Sequence, residues 1–175
     1  MRTTSRPTVP SRTGLAVAVT CALTIGAVGV VTAAVATPGS GDTTSASSVT
    51  GRLDGTGNRP FTAEQDGVRL SAQGATDVTT FDLTYPPGSY SGWHSHPGIV
   101  VAVVRSGEVV RQTGCKRERF RPGDAFTEVG AHHVSNPSST VPAVLSITRI
   151  YPASGAATPR VDEPAPTCPG GPKGS

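Results

Sequence analysis

Turn signals follow one another closely along residues 60–152 of this 175-residue chain, and their spacing limits the fold more than any other feature. They are the combinations Asp66-Gly67, Pro86-Pro87-Gly88, Pro97-Gly98, Ser106-Gly107, Pro122-Gly123-Asp124 and Asn136-Pro137. Gly, Pro, Asn and Asp in such combinations interrupt helices and form tight turns. The stretches between them are rich in Val, Ile and Thr, and no apolar repeat of 3.6 residues follows residue 36. The pattern predicts short strands joined by turns.

Apolar and polar residues alternate in two of these stretches, as in strands that bury one face. Polar residues separate Phe81, Leu83 and Tyr85, and the same period of two recurs around Leu145 and Ile147. With 21 glycines, 16 prolines and only 5% aromatic residues, the composition is typical of a loop-rich β protein rather than a helical bundle. We therefore predict an all-β domain, either a sandwich or a small antiparallel barrel.

The first 36 residues have the order of a secretory signal peptide. Three arginines precede residue 13, an apolar run occupies residues 14–35, and Ala34 and Ala36 have the spacing of a cleavage site. The run is also long enough to cross a bilayer, which takes about 20 residues. An uncleaved N-terminal membrane anchor is therefore the alternative. In both cases the basic flank stays inside and the rest of the chain is exported.

The net charge of +3 and the pI of 9.0 come from this leader. Arg2, Arg6 and Arg12 are its only charged residues, and the other 12 of the 15 basic residues are balanced by 12 acidic ones. The exported part is therefore neutral overall. The basic run at residues 116–121 is interrupted by Glu118 and is typical of a solvated strand face, so a chain of zero net charge argues against a nucleic-acid partner.

Two segments that lack large apolar side chains flank the predicted domain. Residues 37–59 are rich in Ser, Thr and Gly, and this composition predicts a disordered, flexible linker. Residues 153–175 are rich in Pro and Gly and predict a disordered tail. The domain between them, residues 60–152, is long enough for one small core.

The cysteine count predicts one disulfide. Cys21 lies in the apolar run, so Cys115 and Cys168 are the only cysteines of the exported part. In an oxidising compartment an even pair is typical of a disulfide. We predict that this bond attaches the tail to the domain, and two free thiols are the alternative.

The four histidines form two close pairs in the sequence, His94 with His96 and His132 with His133. His94 and His96 are two residues apart, so on a strand their side chains point to the same face. Two imidazoles on one face, with a third from a neighbouring strand, can hold Fe, Mn, Zn, Ni or Cu. The pattern predicts a divalent transition-metal site, and polar core histidines without a metal are the alternative.

The surroundings of the first pair resemble the first motif of the cupin family. Gly88, His94-Ser95-His96 and Gly107 stand at the spacings of that motif, and Val100 stands where the motif has Glu. The resemblance implies a small antiparallel, jelly-roll-like β-barrel. It also implies that His94 and His96 are metal ligands in the mouth of the barrel.

The surroundings of the second pair are similar to the second, looser motif of the family. Pro122-Gly123 begins this stretch, Asn136 ends it, and Glu128 stands where a Pro is usual. The interval before Asn136 is one residue shorter than in the family. The resemblance covers about residues 61–151, which is nearly all of the predicted domain.

The shorter interval leaves two candidates for the third ligand. Counting back from Asn136 selects His132, whereas counting forward from Gly130 selects His133. Alternation along a strand favours His132, because apolar Val134 then faces inward with it. His133 remains the alternative.

Without a Glu at Val100, the implied ligand set is three neutral imidazoles. Such a set leaves the charge of a divalent cation uncompensated, which favours anionic ligands or a bound hydroxide. Glu128 has the parity of His132 and is a candidate hydrogen-bond partner for a ligand, or a general base. An acid at the rim of the barrel is the other interpretation of Glu128.

These features predict an exported protein with a cupin-like domain that binds a divalent metal through three histidines. A metal-dependent oxygenase or isomerase acting on a small polar molecule is one expectation. The alternative is a non-catalytic module that binds a small molecule, a sugar or a metal outside the cell. We expect a small-molecule ligand and no nucleic acid, and a membrane contact only if the leader is retained. A homodimer is compatible with these features.

Overall fold

The computed structural model describes residues 39–41, 43–44, 48–53, 60–153 and 160–169. All regular secondary structure in these residues is β-strand. The strands are β1 (Thr43–Thr44), β2 (Val49–Leu53), β3 (Phe61–Gln65), β4 (Val68–Ala72), β5 (Thr76–Tyr85), β6 (His94–Ser95), β7 (Ile99–Ser106), β8 (Val109–Thr113), β9 (Lys116–Phe120), β10 (Ala125–Glu128), β11 (His132–Ser135), β12 (Ala143–Pro152) and β13 (Val161–Asp162).

Six strands form the larger sheet, in the order β1-β5-β12-β7-β10, with β2 also paired to β5. All neighbouring strands in it are antiparallel. β5 and β12 pair along their whole length, from Ala143 opposite Tyr85 to Pro152 opposite Thr76. Branched and aromatic side chains dominate these two strands because they pack well on a pleated surface.

Five strands form the smaller sheet, in the order β13-β6-β11-β8-β9. β11 lies between β6 and β8, so His132 is opposite both His94 and Thr113. β3 and β4 form a separate two-stranded hairpin. Its turn residues Asp66 and Gly67 have positive φ angles of 51° and 82°, as the turn of a tight hairpin requires.

Inward-facing apolar side chains of both sheets form one core. Phe126, Leu145 and Ile147 come from the larger sheet, Val109 and Val134 come from the smaller one, and each is at most 5% exposed. Two antiparallel sheets packed in this way make a small jelly-roll-like β-barrel. The predicted fold class is confirmed.

Part of the segment predicted as a disordered linker is a strand. β2 pairs with β5 over its full length, and Arg52 Nε donates to Asp77 Oδ1 at 2.8 Å. Four of the five β2 residues are exposed, so main-chain hydrogen bonds rather than buried side chains hold this strand. Its polar composition therefore carried no strand signal. The strand covers an edge of β5 that would otherwise be open to other chains.

Part of the predicted tail is ordered as well. β13 pairs with β6 at the edge of the smaller sheet. Cys168 forms a disulfide with Cys115, with an S–S distance of 2.10 Å and a Cα–Cα distance of 5.6 Å. The tail is therefore attached to the domain both by a strand and by a covalent bond.

The predicted leader, residues 1–36, lies outside the described residues. In the part of the chain that the structure describes, no helix is long and apolar enough to cross a membrane. A cleaved signal peptide and a retained anchor both remain predictions.

Candidate metal centre

Three histidine side chains converge inside one end of the barrel. His94 of β6 lies opposite His132 of β11, and their ring centroids are 4.2 Å apart. His96 directly follows β6, and its ring centroid is 4.7 Å from that of His94 and 5.4 Å from that of His132. Antiparallel pairing of β6 with β11 therefore brings together residues that are far apart in the sequence. His94 is 4% exposed and His132 is 1% exposed.

A carboxylate joins these imidazoles from the larger sheet. Glu128 ends β10 and is 7% exposed, and its Oε2 lies 3.4 Å from His96 Nε2 and 3.3 Å from His132 Nε2. The register of β10 with β7 places Glu128 directly opposite Val100. Val100 occupies the position at which the cupin motif has Glu, and it is apolar. Glu128, its partner on the neighbouring strand, provides a carboxylate instead. Glu128 lies within the cluster and not at the rim of the barrel.

The structure separates the two candidates for the third histidine of the site. Four side chains offer ligand atoms that all lie within 4.8 Å of one another: His94, His96, Glu128 and His132. His133 points to the opposite face of β11, as alternation requires. There its ring lies 5.9 Å from the Trp93 ring and 5.8 Å from the Tyr90 ring, centroid to centroid.

Backbone carbonyls fix the orientation of two of the imidazoles. Nδ1 of His94 lies 3.0 Å from the carbonyl oxygen of Gly92, and Nδ1 of His132 lies 2.8 Å from that of Gly130. A carbonyl oxygen only accepts hydrogen bonds, so each Nδ1 carries a proton, and in the neutral form of each imidazole Nε2 keeps a lone pair for a metal. Nε2 of His132 is buried and makes no hydrogen bond to the described residues. This is the expected state of a nitrogen that faces a metal ion.

Buried side chains hold the segments that carry the histidines. Ser91 Oγ accepts a hydrogen bond from the main-chain N–H of Val134 at 2.9 Å. Asn136 Nδ2 donates to the carbonyl oxygens of Tyr85 and Val141, each at 2.9 Å. The first bond joins the loop before β6 to β11. The other two join the residue after β11 to the end of β5 and to the loop before β12. The histidine-bearing segments are therefore fixed relative to each other.

His94 and Glu128 have the protonation states of metal ligands. Burial, together with the nearby His132, lowers the pKa of His94 to about 3, so this imidazole is neutral at physiological pH. Burial by itself raises the pKa of Glu128, but its contacts with His132 and His96 outweigh burial and hold that pKa below the ordinary value. A neutral imidazole and an ionised carboxylate are the forms that bind a cation.

The cluster fits one divalent metal ion. Nε2 of His132 and Oε2 of Glu128 face each other at 3.3 Å, and two acceptors at this distance repel unless a cation or a proton lies between them. Two ligand atoms bound to one ion at about 2.1 Å each are at most about 4.2 Å apart. The ligand atoms of the four side chains lie within 4.8 Å of one another, so small side-chain shifts would bring all of them to bonding distance from one ion. Three nitrogens and one oxygen suit Fe, Mn, Zn, Ni or Cu without selecting one of them.

A cavity of about 220 Å³ opens beside the cluster. Phe81 and Ile147 contribute to its apolar wall, and Arg149 and Arg160 line it with charged groups. Arg149 continues the inward face of β12 after Ile147. Arg160 precedes β13, and its Nη2 donates to the carbonyl oxygen of Ser91 at 2.6 Å. The space holds about seven water molecules at the liquid volume of about 30 Å³ each, so its ligand must be small.

Sequence reasoning did not single out these two arginines as site residues. A signal existed for Arg149, because it follows Leu145 and Ile147 at a spacing of two and places a charge on an apolar face. No local signal existed for Arg160. Its position depends on the pairing of β13 with β6, which links residues that are far apart in the chain.

Comparison with known proteins identifies the domain. The sequence profile of the family described as "Cupin domain" matches residues 81–148, which include all four residues of the cluster. Residues 81–148 are therefore identified as a cupin domain. No protein of curated function matches the chain.

Solved structures similar to this cupin come from several bacteria. A predicted oxalate decarboxylase from Thermotoga maritima is 19% identical, with 45% of this chain and 82% of that chain covered and a TM-score of 0.37. The Cupin_2 domain of an XRE family transcriptional regulator from Enterobacter cloacae is 25% identical, with 43% and 81% covered and a TM-score of 0.37. A cupin-like protein from Thermotoga maritima is 22% identical, with 50% and 65% covered and a TM-score of 0.41.

The cluster of this cupin has the properties of a site that can bind and activate a small molecule. Its four candidate ligand side chains come from three segments that main-chain pairing holds in place, so their relative positions are fixed. The cavity adjoins the cluster, and its wall combines apolar side chains with charged ones. A metal in such a site can polarise a bound oxygen atom or activate a water molecule.

Proposed function

We propose that this cupin binds a divalent transition metal through His94, His96, His132 and Glu128, and acts on a small polar molecule in the adjoining cavity. The observation that carries the proposal is the convergence of three imidazoles and one carboxylate in the barrel interior, all within 4.8 Å of one another. The carboxylate adds one negative charge to the three neutral imidazoles expected from the motif. A divalent ion bound there would keep one net positive charge.

An oxygenase or isomerase reaction is the activity that this arrangement supports best. A metal in this site supplies Lewis-acid or oxygen chemistry. The chain offers four ligand atoms, and the cavity adjoins them, so a small molecule could reach an ion held there. Arg149 and Arg160 supply positive charge in this cavity. A small polar substrate would therefore be held by the protein while it contacts the ion.

A non-catalytic binding module is the second candidate, and one observation favours it. Among the described residues that line the cavity, Glu128 is the only carboxylate, and it already lies against two histidines of the cluster. A separate carboxylate for proton transfer is therefore not part of the wall. Metal binding is common to both candidates, and turnover of a substrate separates them.

Metal analysis of the full chain, purified with its disulfide intact, tests the shared part of the proposal. We expect about one transition-metal ion per chain, and a melting temperature that rises when zinc is added to protein stripped with a chelator. His94→Ala should remove both effects, because it deletes one ligand from the centre of the cluster. A wild-type chain without stoichiometric metal would overturn the proposal.

We also propose that the chain is exported. The arginine-rich apolar leader and the Cys115–Cys168 disulfide support this, since disulfides persist in oxidising compartments. N-terminal sequencing of the protein from its native host provides the test. A start at Thr37 indicates a secreted domain, and a start at Met1 in the membrane fraction indicates an anchored one. A chain that stays in the cytoplasm would contradict export.

A further inference from the structure

The strand that carries two of the candidate ligands is very short. β6 comprises His94 and Ser95, and His96 follows it directly. Among the described residues, β11 pairs with β6 at a single position, where His132 is opposite His94. By comparison, β5 and β12 pair at ten positions. A short two-stranded pairing is marginally stable by itself, so β6 depends on further contacts to keep both histidines in place.

Hydrogen bonds to β11 hold the loop before β6. The main-chain N–H of Ser91 donates to the carbonyl oxygen of Val134 at 2.8 Å, and the main-chain N–H of Val134 donates to Ser91 Oγ at 2.9 Å. Both bonds lie three residues before His94. They fix the approach of the chain to the cluster, and they do not include Ser95 or His96.

A segment of the tail, residues 160–168, covers the other edge of β6, and we name it the tail strap. β13 within it pairs with β6 and places Asp162 opposite His94. The next residue, Glu163, donates its main-chain N–H to the carbonyl oxygen of Trp93 at 2.9 Å. The strap therefore makes β6 an internal strand of the smaller sheet, in the order β13-β6-β11. Without the strap, the edge of β6 would be open.

The tail strap also binds the residue that lies between the two histidines. Ser95 Oγ donates to Glu163 Oε1 at 2.7 Å. Alternation along the strand directs Ser95 away from the cluster, so this bond holds β6 from the face opposite the metal site. Because Ser95 is covalently joined to both His94 and His96, a bond to its side chain limits the movement of both.

The disulfide fixes the far end of the tail strap to the same sheet. Cys168 is bonded to Cys115 in the turn between β8 and β9. β8 pairs with β11, which carries His132. The strap therefore begins at the edge beside β6 and ends beyond β11. Without the disulfide, noncovalent contacts alone would oppose local opening of the strap.

We propose that the tail strap is a positioning element of the metal site, and that the Cys115–Cys168 disulfide raises metal affinity by keeping the strap on β6. The site binds a metal when all of its ligand atoms are in place together. An open strap releases His94 and His96, which lowers the fraction of chains in the binding-competent form, and the apparent affinity falls in proportion. The inference rests on the proposed function, because it concerns how the same site retains its metal.

The zinc affinity of the full chain, measured by competition with a chelator, tests the proposal. The Cys115→Ser, Cys168→Ser double variant should bind zinc about tenfold more weakly than the wild type, as is typical when a contact that orients metal ligands is lost. Serine removes the crosslink without leaving thiols that would bind zinc themselves. Circular dichroism at the temperature of the titration verifies that each variant is folded.

Gly107→Ala is the control for a general loss of stability. A Cβ at position 107 would lie 2.5 Å from the carbonyl oxygen of Pro142, so this variant is destabilised at the β7–β8 turn and keeps the strap unchanged. Under conditions in which it is folded, it should bind zinc as tightly as the wild type.

Variants of Glu163 test the hydrogen bond to Ser95 while the disulfide stays in place. Glu163→Ala should weaken zinc binding by up to about tenfold. Glu163→Gln should retain most of the affinity, because its side chain keeps Oε1 as an acceptor for Ser95 Oγ. Glu64→Ala is the matched control and should have no effect, because Glu64 is an exposed acid on the separate β3–β4 hairpin.

The outcomes distinguish failure of this inference from failure of the metal site. Wild-type affinity in both the double cysteine variant and Glu163→Ala overturns the role of the strap and leaves the metal site intact. Equal losses in the double variant and Gly107→Ala also overturn it, since stability would then explain the effect. A loss in Glu163→Gln as large as that in Glu163→Ala assigns the effect to charge and overturns positioning by this bond. A wild-type chain that binds no zinc overturns the metal site, and this inference with it.

Discussion

Val100 of β7 and Glu128 of β10 lie directly opposite each other. Glu128 provides the carboxylate that is absent at Val100, where the cupin motif has Glu. Val100 is 1% exposed and packs in the core, whereas Glu128 turns its carboxylate towards His96 and His132. Residues directly opposite each other in an antiparallel sheet have Cβ atoms about 5 Å apart. A carboxylate on either residue of the pair can therefore reach nearly the same point in the barrel.

This geometry predicts that a glutamate at position 100 can replace the glutamate at position 128 as the source of the carboxylate. Glu128→Gln should lower metal affinity by at least about tenfold, because it removes the only charged ligand and keeps its shape. Glu128→Val combined with Val100→Glu should regain most of the affinity. Calorimetric titration with zinc provides the measurement. Full affinity in Glu128→Gln would show that the carboxylate is not a ligand, and a double variant as weak as Glu128→Gln would show that the pair is not interchangeable.

The neighbouring residues His132 and His133 provide a second test at this scale. His132→Ala should abolish stoichiometric metal binding, because Nε2 of His132 lies within the cluster. His133→Ala should keep the metal, because this ring stacks with Trp93 on the other face of β11. Metal content per folded chain is the measurement, with circular dichroism to verify folding. Loss of metal from His133→Ala and not from His132→Ala would reverse the assignment.

At the scale of elements, local pattern predicted the strands that bury side chains and failed for those that do not. β5 and β12 alternate apolar and polar residues and pack on the core, so their sequences contain the signal. β2 and β13 expose almost all of their side chains and are held by main-chain pairing. Main-chain hydrogen bonds form with nearly any side chain, so composition cannot reveal them.

The site follows the same rule. The spacing of His94 and His96 places both on one face of an extended segment, and alternation around Val134 favoured His132. The position of the Glu128 carboxylate depends on the register of β10 with β7, and that of Arg160 depends on the pairing of β13 with β6. Register between distant segments is a property of the folded chain, so one sequence does not contain it locally.

The turn between β7 and β8 offers a prediction at the element scale. Gly107 has a φ of +72°, and a Cβ there would lie 2.5 Å from the carbonyl oxygen of Pro142. Gly123, with a φ of +93°, has no atom within 4 Å of such a Cβ. Gly107→Ala should therefore lower the free energy of unfolding by about 2–4 kcal/mol, against about 1 kcal/mol for Gly123→Ala.

Urea denaturation of both glycine variants measures this difference. Each variant bears the same backbone cost of a side chain at positive φ, so the excess loss in Gly107→Ala reports the close approach of the β7–β8 turn to Pro142. Equal losses in the two variants would contradict that close approach.

At the scale of the whole molecule, strands β1, β2 and β13 attach the segments that flank the barrel, and the excess of basic charge lies in the predicted leader. With the leader removed, residues 37–175 have balanced formal charge. The positive charge that remains important is local, at Arg149 and Arg160 in the cavity. If the leader is a signal peptide, as we propose, the net charge of the whole chain reflects its export signal and not the charge around the cavity.

The disulfide gives the last prediction, because it links the tail strap, residues 160–168, to the β8–β9 turn across a sequence separation of 53 residues. A crosslink that closes a loop of this size removes unfolded-state entropy worth about 4 kcal/mol as an upper value. We expect the Cys115→Ser, Cys168→Ser double variant to lose about 2–4 kcal/mol of unfolding free energy in urea. Treatment of the wild type with reductant should reproduce this loss, whereas the double variant should not respond to it.

Limited trypsin digestion separates a stable strap from a detached one. In the oxidised protein, the bond after Arg160 is protected because β13 pairs with β6 and the guanidinium is hydrogen-bonded to Ser91. Trypsin should cut there faster once the disulfide is absent, since local opening then requires only the loss of a two-residue strand. Unchanged stability together with unchanged cleavage would show that β13 alone holds the strap. Lower stability with unchanged cleavage would show that the disulfide stabilises the protein by reducing the entropy of the unfolded chain, and not by holding the strap in the folded state.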